Sequence, residues 1–150
     1  MVWKWLRLAL VGVAVLLGVM QLVPYGRDHA NPPVAAEPGW SSPAVRALAQ
    51  RACFDCHSNE TRWPWYSHIA PVSWLVQHDV IEGRETLNFS EWNRPHQEVK
   101  DVAKEVLDGD MPPATYTPLH REAVLSAPER QALIDGLKLS LGARPSTDPH

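Results

Sequence analysis

Cys53-Phe54-Asp55-Cys56-His57 is the stretch on which the chain turns. Two cysteines separated by two residues, with histidine immediately after, have the spacing of covalent haem attachment. About one helical turn separates the thiols, so both can reach the vinyl groups of a single porphyrin. The next residue then sets an imidazole beneath the iron as proximal ligand. The chain has only 2 cysteines, so neither is left for a structural disulfide. Other uses of Cys-x-x-Cys fit less well. A thioredoxin-like pair sits in a strand–helix setting, and little strand pattern is present. A zinc site needs a second Cys/His pair at finger spacing, and none follows. The expectation is one covalent haem c held by Cys53, Cys56 and His57.

On the N-terminal side, Ser42-Pro43 makes an N-cap and first-turn pair. Val45, Leu48, Ala49 and Ala52 follow on one helical face that leads into Cys53. Residues 24–39 contain Pro24, Pro32, Pro33 and Pro38 and no useful periodicity. They read as an extended tether, with wrapping over the domain surface as the other option. From Trp3 to Val23 the chain is almost wholly apolar, about the 20 residues that cross a bilayer as a helix. Lys4 and Arg7 at its start favour a cytoplasmic N-terminus, which would put the haem domain in the periplasm, anchored in the inner membrane. A cleaved secretory signal is the competing reading, but the small-residue site Val34-Ala35-Ala36 lies well beyond the apolar run.

On the C-terminal side, Ser58 to Tyr66 reads as an irregular loop broken by Pro64. Trp63, Trp65 and Tyr66 offer flat surfaces for a porphyrin, and Arg62 a partner for a propionate. Each is otherwise an ordinary packing or surface residue. Pro71 starts a helix whose expected inward face is Val72, Leu75, Val76 and Val80, with Gly83 and Asn88 marking its end. Another helix begins near Pro95, presents Val99, Val102, Ala103, Val106 and Leu107, and stops at Gly109. Asp110-Met111-Pro112-Pro113 follows. Met111 is the only methionine beyond the N-terminal segment. Its thioether is a soft, neutral ligand for haem iron, and the two prolines are expected to hold the backbone after it extended and stiff. Met111 is therefore the candidate distal ligand, ahead of His68, His78, His96 and His120, which lack such a brace. Ser126-Ala127-Pro128-Glu129 is a capping box. It opens a helix with Leu133, Ile134, Leu137 and Leu141 at helical spacing and Gly142 at its end. Residues 143–150 read as a flexible tail.

The blocks CFDCHSNETRWPWYSHIAPVSW, EGRETLNFSEW, GDMPPATYTPLH and LSAPERQALIDGL resemble the membrane-anchored haem-binding domain family of bacterial c-type cytochromes. The resemblance runs from about Pro24 to Leu141. It implies a single haem c with Cys53 and Cys56 as attachment sites, His57 proximal, and Met111 in the place of the usual distal methionine.

The expected fold is all-α: a small cytochrome c-like helical domain over residues 40–142, built around one covalent haem and preceded by a transmembrane helix over residues 3–23. A chain of 150 residues with a formal charge of −3 and no long basic run is a poor nucleic-acid binder. With His57 and Met111 filling both axial positions, no site is left for substrate. That favours an electron carrier working with redox partner proteins over an enzyme. The alternative is a haem-based sensor or ligand-binding module whose distal ligand can be displaced.

Overall fold

The computed structural model describes residues 2–94 and 102–142. It is all-α: α1 (Val2–Met20), α2 (Pro43–Ala52), α3 (Phe54–His57), α4 (Val72–Thr86), α5 (Val102–Asp108) and α6 (Ala127–Gly142). Short 3-10 turns lie at Trp65–His68 and Arg121–Ala123.

α2 and α6 form as their sequences dictate. Ser42 Oγ accepts the Val45 N–H at 3.2 Å, and Pro43 opens the first turn. Val45, Ala49 and Ala52 are buried, and Leu48 packs beside them. At the start of α6 the Ser126 N–H donates to Glu129 Oε2 at 2.8 Å. Leu133, Ile134, Leu137 and Leu141 are all buried. Each such side chain contributes ~1.5–3 kcal/mol against ~1 kcal/mol for a cap, so packing rather than capping holds α6 in place. The two helices approach closely at Gly136, where a Cβ would lie 2.3 Å from Val45 Cγ2. Arg51 at the end of α2 also pairs with Glu129 at 2.7 Å.

The middle of the core is aromatic. Phe54 and Phe89 stack with centroids 5.7 Å apart, and Trp40 lies 5.2 Å from Phe89. Phe54 is thus the nail of the motif: its ring occupies the core.

Three expectations need correction. The α4 face is rotated: Val80 is buried and Val76 half-buried as expected, but Ser73 and Gly83 are buried with them, while Val72 and Leu75 are 39% and 63% exposed. Gly83 does not end the helix, which continues to Thr86. In α5 Val106 is buried and Leu107 faces solvent, because neighbouring positions on a helix point about 100° apart. The expected start of that helix, with Pro95, His96 and Val99, falls outside the described residues, as does the expected tail.

Residues 24–39 are a strap packed on the domain and not a free tether. Asn31 Nδ2 donates to Thr61 O at 2.9 Å, Asn59 Nδ2 to Pro33 O at 3.1 Å, and Arg84 Nη1 to Ala30 O at 3.0 Å. Ala36 forms an isolated parallel bridge with Glu91. Glu37 takes a two-pronged ion pair from Arg46, with contacts of 2.6 and 2.7 Å. That pairing holds the Glu37 carboxyl below its ordinary range. The prolines limit the freedom of this segment, and polar groups of the domain supply its hydrogen bonds.

α1 is long and apolar enough to cross a membrane, and none of it is buried within the protein. It ends at Met20, three residues before the apolar run does.

Candidate functional site

α2 ends directly at the motif: Cys53 is its C-cap, and the Cys53 N–H donates to Ala49 O at 2.8 Å. A second tight turn then forms, with the His57 N–H donating to Cys53 O at 2.9 Å. Burial of Phe54 and Asp55 fixes this turn. Both cysteines are free thiols.

His57 is oriented by the C-terminal end of α4. Its Nδ1 lies 2.9 Å from Gly83 O and 3.1 Å from Leu87 O. Two carbonyls can only accept, so Nδ1 carries the proton and Nε2 the lone pair. Burial pushes the imidazole below its ordinary pKa against the opposing pull of these two carbonyls. A neutral ring held at one nitrogen by backbone oxygen is the form in which histidine binds a metal.

Gly83 allows this geometry. A Cβ there would lie 2.6 Å from Cys56 O, a backbone atom that cannot swing away. Gly83→Ala is expected to push α4 off the motif and cost ~1–3 kcal/mol, read as a fall in melting temperature. An unchanged melting temperature would mean that α4 does not bear on the motif.

Cys53, His57 and Met111 line one cleft of about 250 Å³ whose walls include Leu87, Phe89 and Val106. Met111 reaches it from the end of α5. Gly109 adopts φ +86°, and the Asp110 N–H donates to Glu105 O at 3.0 Å, closing a Schellman-type cap. The Met111 N–H shares the same carbonyl at 3.1 Å. The chain bends after Met111 instead of running extended, and the Met111–Pro112 bond is cis.

Cys56 faces a neighbouring cavity of about 50 Å³, shared with Asp55, Tyr66, Tyr116 and His120. Burial pushes the thiol of Cys53 up to about 12 and that of Cys56 up to about 11. Thiol–disulfide exchange needs a thiolate, so these thiols are poorly suited to it. Among the described residues no group of three or more His, Cys, Asp or Glu side chains is placed to hold a metal ion.

Asp55 was not singled out by the sequence, yet it braces the site. Its carboxylate accepts the Arg62 N–H at 3.0 Å, Arg62 Nε at 3.2 Å and Nη2 at 3.0 Å, and the Tyr116 hydroxyl at 2.6 Å. A buried carboxylate survives in a core only when satisfied in this way. Tyr116 follows Met111 by five residues, so this bond ties the Met111 loop to the cysteine motif. Burial and Asp55 raise the Tyr116 pKa far above its usual value, keeping the phenol a donor.

Several other expectations are redirected. Arg62 is engaged with Asp55. Trp63 stacks on His29 at 4.6 Å on the strap, Trp65 is 75% exposed, and Tyr66 is hydrogen-bonded to His120. None of these aromatics lines the His57–Met111 cleft; Phe89 is the aromatic wall there. His68 edges the His29 ring, His78 lies 3.5 Å from Glu82, and His120 stacks on Tyr116 at 3.9 Å. None of the three lines the cleft either.

The donor set fits a haem. The cleft is largely apolar, one neutral imidazole has a free lone pair, and a thioether enters from a separate element. Its volume falls just under the ~300–1,000 Å³ of ligand clefts, so the cleft walls would cover part of a porphyrin-sized group and not all of it. Residues 15–139 match the haem-binding domain family. No curated protein and no solved structure matches the chain.

Proposed function

Because the chain belongs to the haem-binding domain family, we propose that it is a mono-haem c-type cytochrome carrying single electrons at the periplasmic face of the inner membrane. The observation that carries this reading is the convergence of Cys53, His57 and Met111 on one apolar cleft, in a chain whose attachment motif is complete. Cys53 and Cys56 would hold the group through thioether bonds, with His57 Nε2 proximal and Met111 Sδ distal. When bound, haem supplies an iron that alternates between ferric and ferrous states. The protein then fixes both ligands, keeps water from the apolar walls, and leaves no open position for substrate. Lys4 and Arg7 precede the apolar core of α1 and favour the orientation that exports the domain. Redox proteins that exchange electrons with it would be its partners. Optical spectra of the oxidised and reduced full-length chain, expressed with haem-maturation machinery, test the reading. Low-spin c-type bands are expected, and a colourless protein that still exchanges disulfides overturns it.

Two ligands on separate segments must be held in register, and the Tyr116–Asp55 bond does this. Tyr116→Phe deletes one charge-assisted hydrogen bond, worth ~1.5–3 kcal/mol, while Arg62 continues to neutralise Asp55. The holoprotein should unfold at lower denaturant concentration, and its ferrous form should admit carbon monoxide faster than wild type. Wild-type values for both would show that the bond positions nothing.

A further inference from the structure

At the start of α4, Val72 and Leu75 face outward, and they lie where α1 leaves the domain. Gln21, one residue beyond the end of α1, is locked to the turn before α4. Its Nε2 donates to Ala70 O at 2.8 Å, and its Oε1 accepts the Ala70 N–H at 3.1 Å. Arg27 Nη2 closes the same amide at 2.9 Å. Just beyond, Ser73 Oγ donates to Tyr25 O at 3.4 Å. Gly26, at φ +76°, sits so close that a Cβ would lie 2.3 Å from Ser73 O. The joint between α1 and the domain is therefore fixed, not hinged.

Around this joint Leu22, Val23 and Tyr25 are 81%, 45% and 48% exposed, and Ile69, Val72 and Leu75 are 45%, 39% and 63% exposed. A 19-residue helix is about 28 Å long, close to the ~30 Å hydrocarbon core of a bilayer. If α1 spans that core, Gln21 and Ala70 stand at its edge, and the side chains flanking them fall in the headgroup region. That region favours amphipathic aromatics such as Tyr25 and accepts apolar side chains to a depth of ~5–10 Å.

From this continuity of an exposed span with an exposed corner, we propose that the Ile69–Leu75 corner is seated in the bilayer interface. Lipid is its occupant, and the domain is held at one fixed attitude to the membrane. The inference rests on the reading of α1 as a membrane span. It gives the outward turn of Val72 and Leu75 a physical cause, because lipid takes the place of a protein neighbour. It also fixes the direction in which the cleft can meet a redox partner.

The test is lipid-restricted carbene footprinting of the full-length holoprotein in phosphatidylcholine nanodiscs, read residue by residue by mass spectrometry. Label is expected on α1 and, several-fold above the level at Leu139, on Ile69, Val72 and Leu75. Leu139 is the control because it is 68% exposed on α6, next to Ser140, which meets Ser41 just beyond the far end of the strap. Label on α1 with the corner no higher than Leu139 overturns the inference and leaves the span intact. Absence of label from α1 itself overturns the span, and the corner proposal with it.

Discussion

The doubly substituted chain Cys53→Ser/Cys56→Ser, matured alongside the wild type, is expected to surrender all its colour to acidic organic solvent. The wild-type polypeptide should keep its own. A thioether survives denaturation, whereas axial ligands and apolar contacts do not, so retention of colour reports the covalent bond and nothing else. Serine is a fair test here. In the matured wild type both sulfurs would be neutral thioethers, so a neutral hydroxyl of similar size leaves the local charge unchanged. Stability should fall as well. Leu87, Phe89 and Val106 line the cleft and also belong to the main hydrophobic core, and a domain of ~100 residues has little burial to spare. The haem-free chain is therefore expected to melt well below the holoprotein and with reduced cooperativity. A colourless variant that melts with wild-type cooperativity would show that the core is complete without haem. A wild type that loses all its colour would end the case for haem c.

How much of this the sequence disclosed depends on what kind of force was at work. Where a helix buries an unbroken apolar stripe against protein, periodicity was enough: Val45, Ala49 and Ala52 in α2, and Leu133, Ile134, Leu137 and Leu141 in α6, lie inside as expected. In α4 periodicity placed Val80 correctly but not Val72 and Leu75, because it registers that they avoid water and says nothing of whether protein or another apolar phase receives them. It passed over Ser73 and Gly83, whose value lies in being small where another backbone comes close. Gly83 read as a helix terminus, yet it sits inside α4 with its carbonyl on His57. Asp55 was concealed by its place inside the motif, where its neighbours carry the chemistry. Its partners, Arg62 and Tyr116, are 7 and 61 residues away, a separation that no local pattern spans. The choice between tether and wrap over residues 24–39 stayed open for a similar reason, since irregular backbone leaves no period and the bonds that settle it are made to distant side chains.

Met111→Ala should abolish the weak ferric sulfur-to-iron charge-transfer band. It should also open the ferrous iron to rapid carbon monoxide binding and lower the reduction potential. Thioether ligation favours the ferrous state over imidazole or water, so its loss should cost on the order of 0.1 V of the ~0.8 V that axial ligands span. The band is diagnostic in this chain because of what the sequence leaves out. The other two methionines are Met1 and Met20, in the N-terminal segment, so no other methionine belongs to the haem domain. Position supports the same residue: the cap at Gly109 and the shared Glu105 carbonyl fix the backbone of Met111, and its side chain lines the cleft with His57. The wild type also separates the two functional readings. Slow carbon monoxide binding at neutral pH, rising only when Met111 is removed, is the behaviour of a closed carrier. Rapid binding by the wild type would instead make Met111 a displaceable ligand and the protein a sensor. If the wild type shows no such band and substitution at His120 alters the spectrum where Met111→Ala does not, the sixth ligand is a nitrogen. The Asp55–Tyr116 brace would then hold His120, stacked on that same tyrosine, and not the methionine loop.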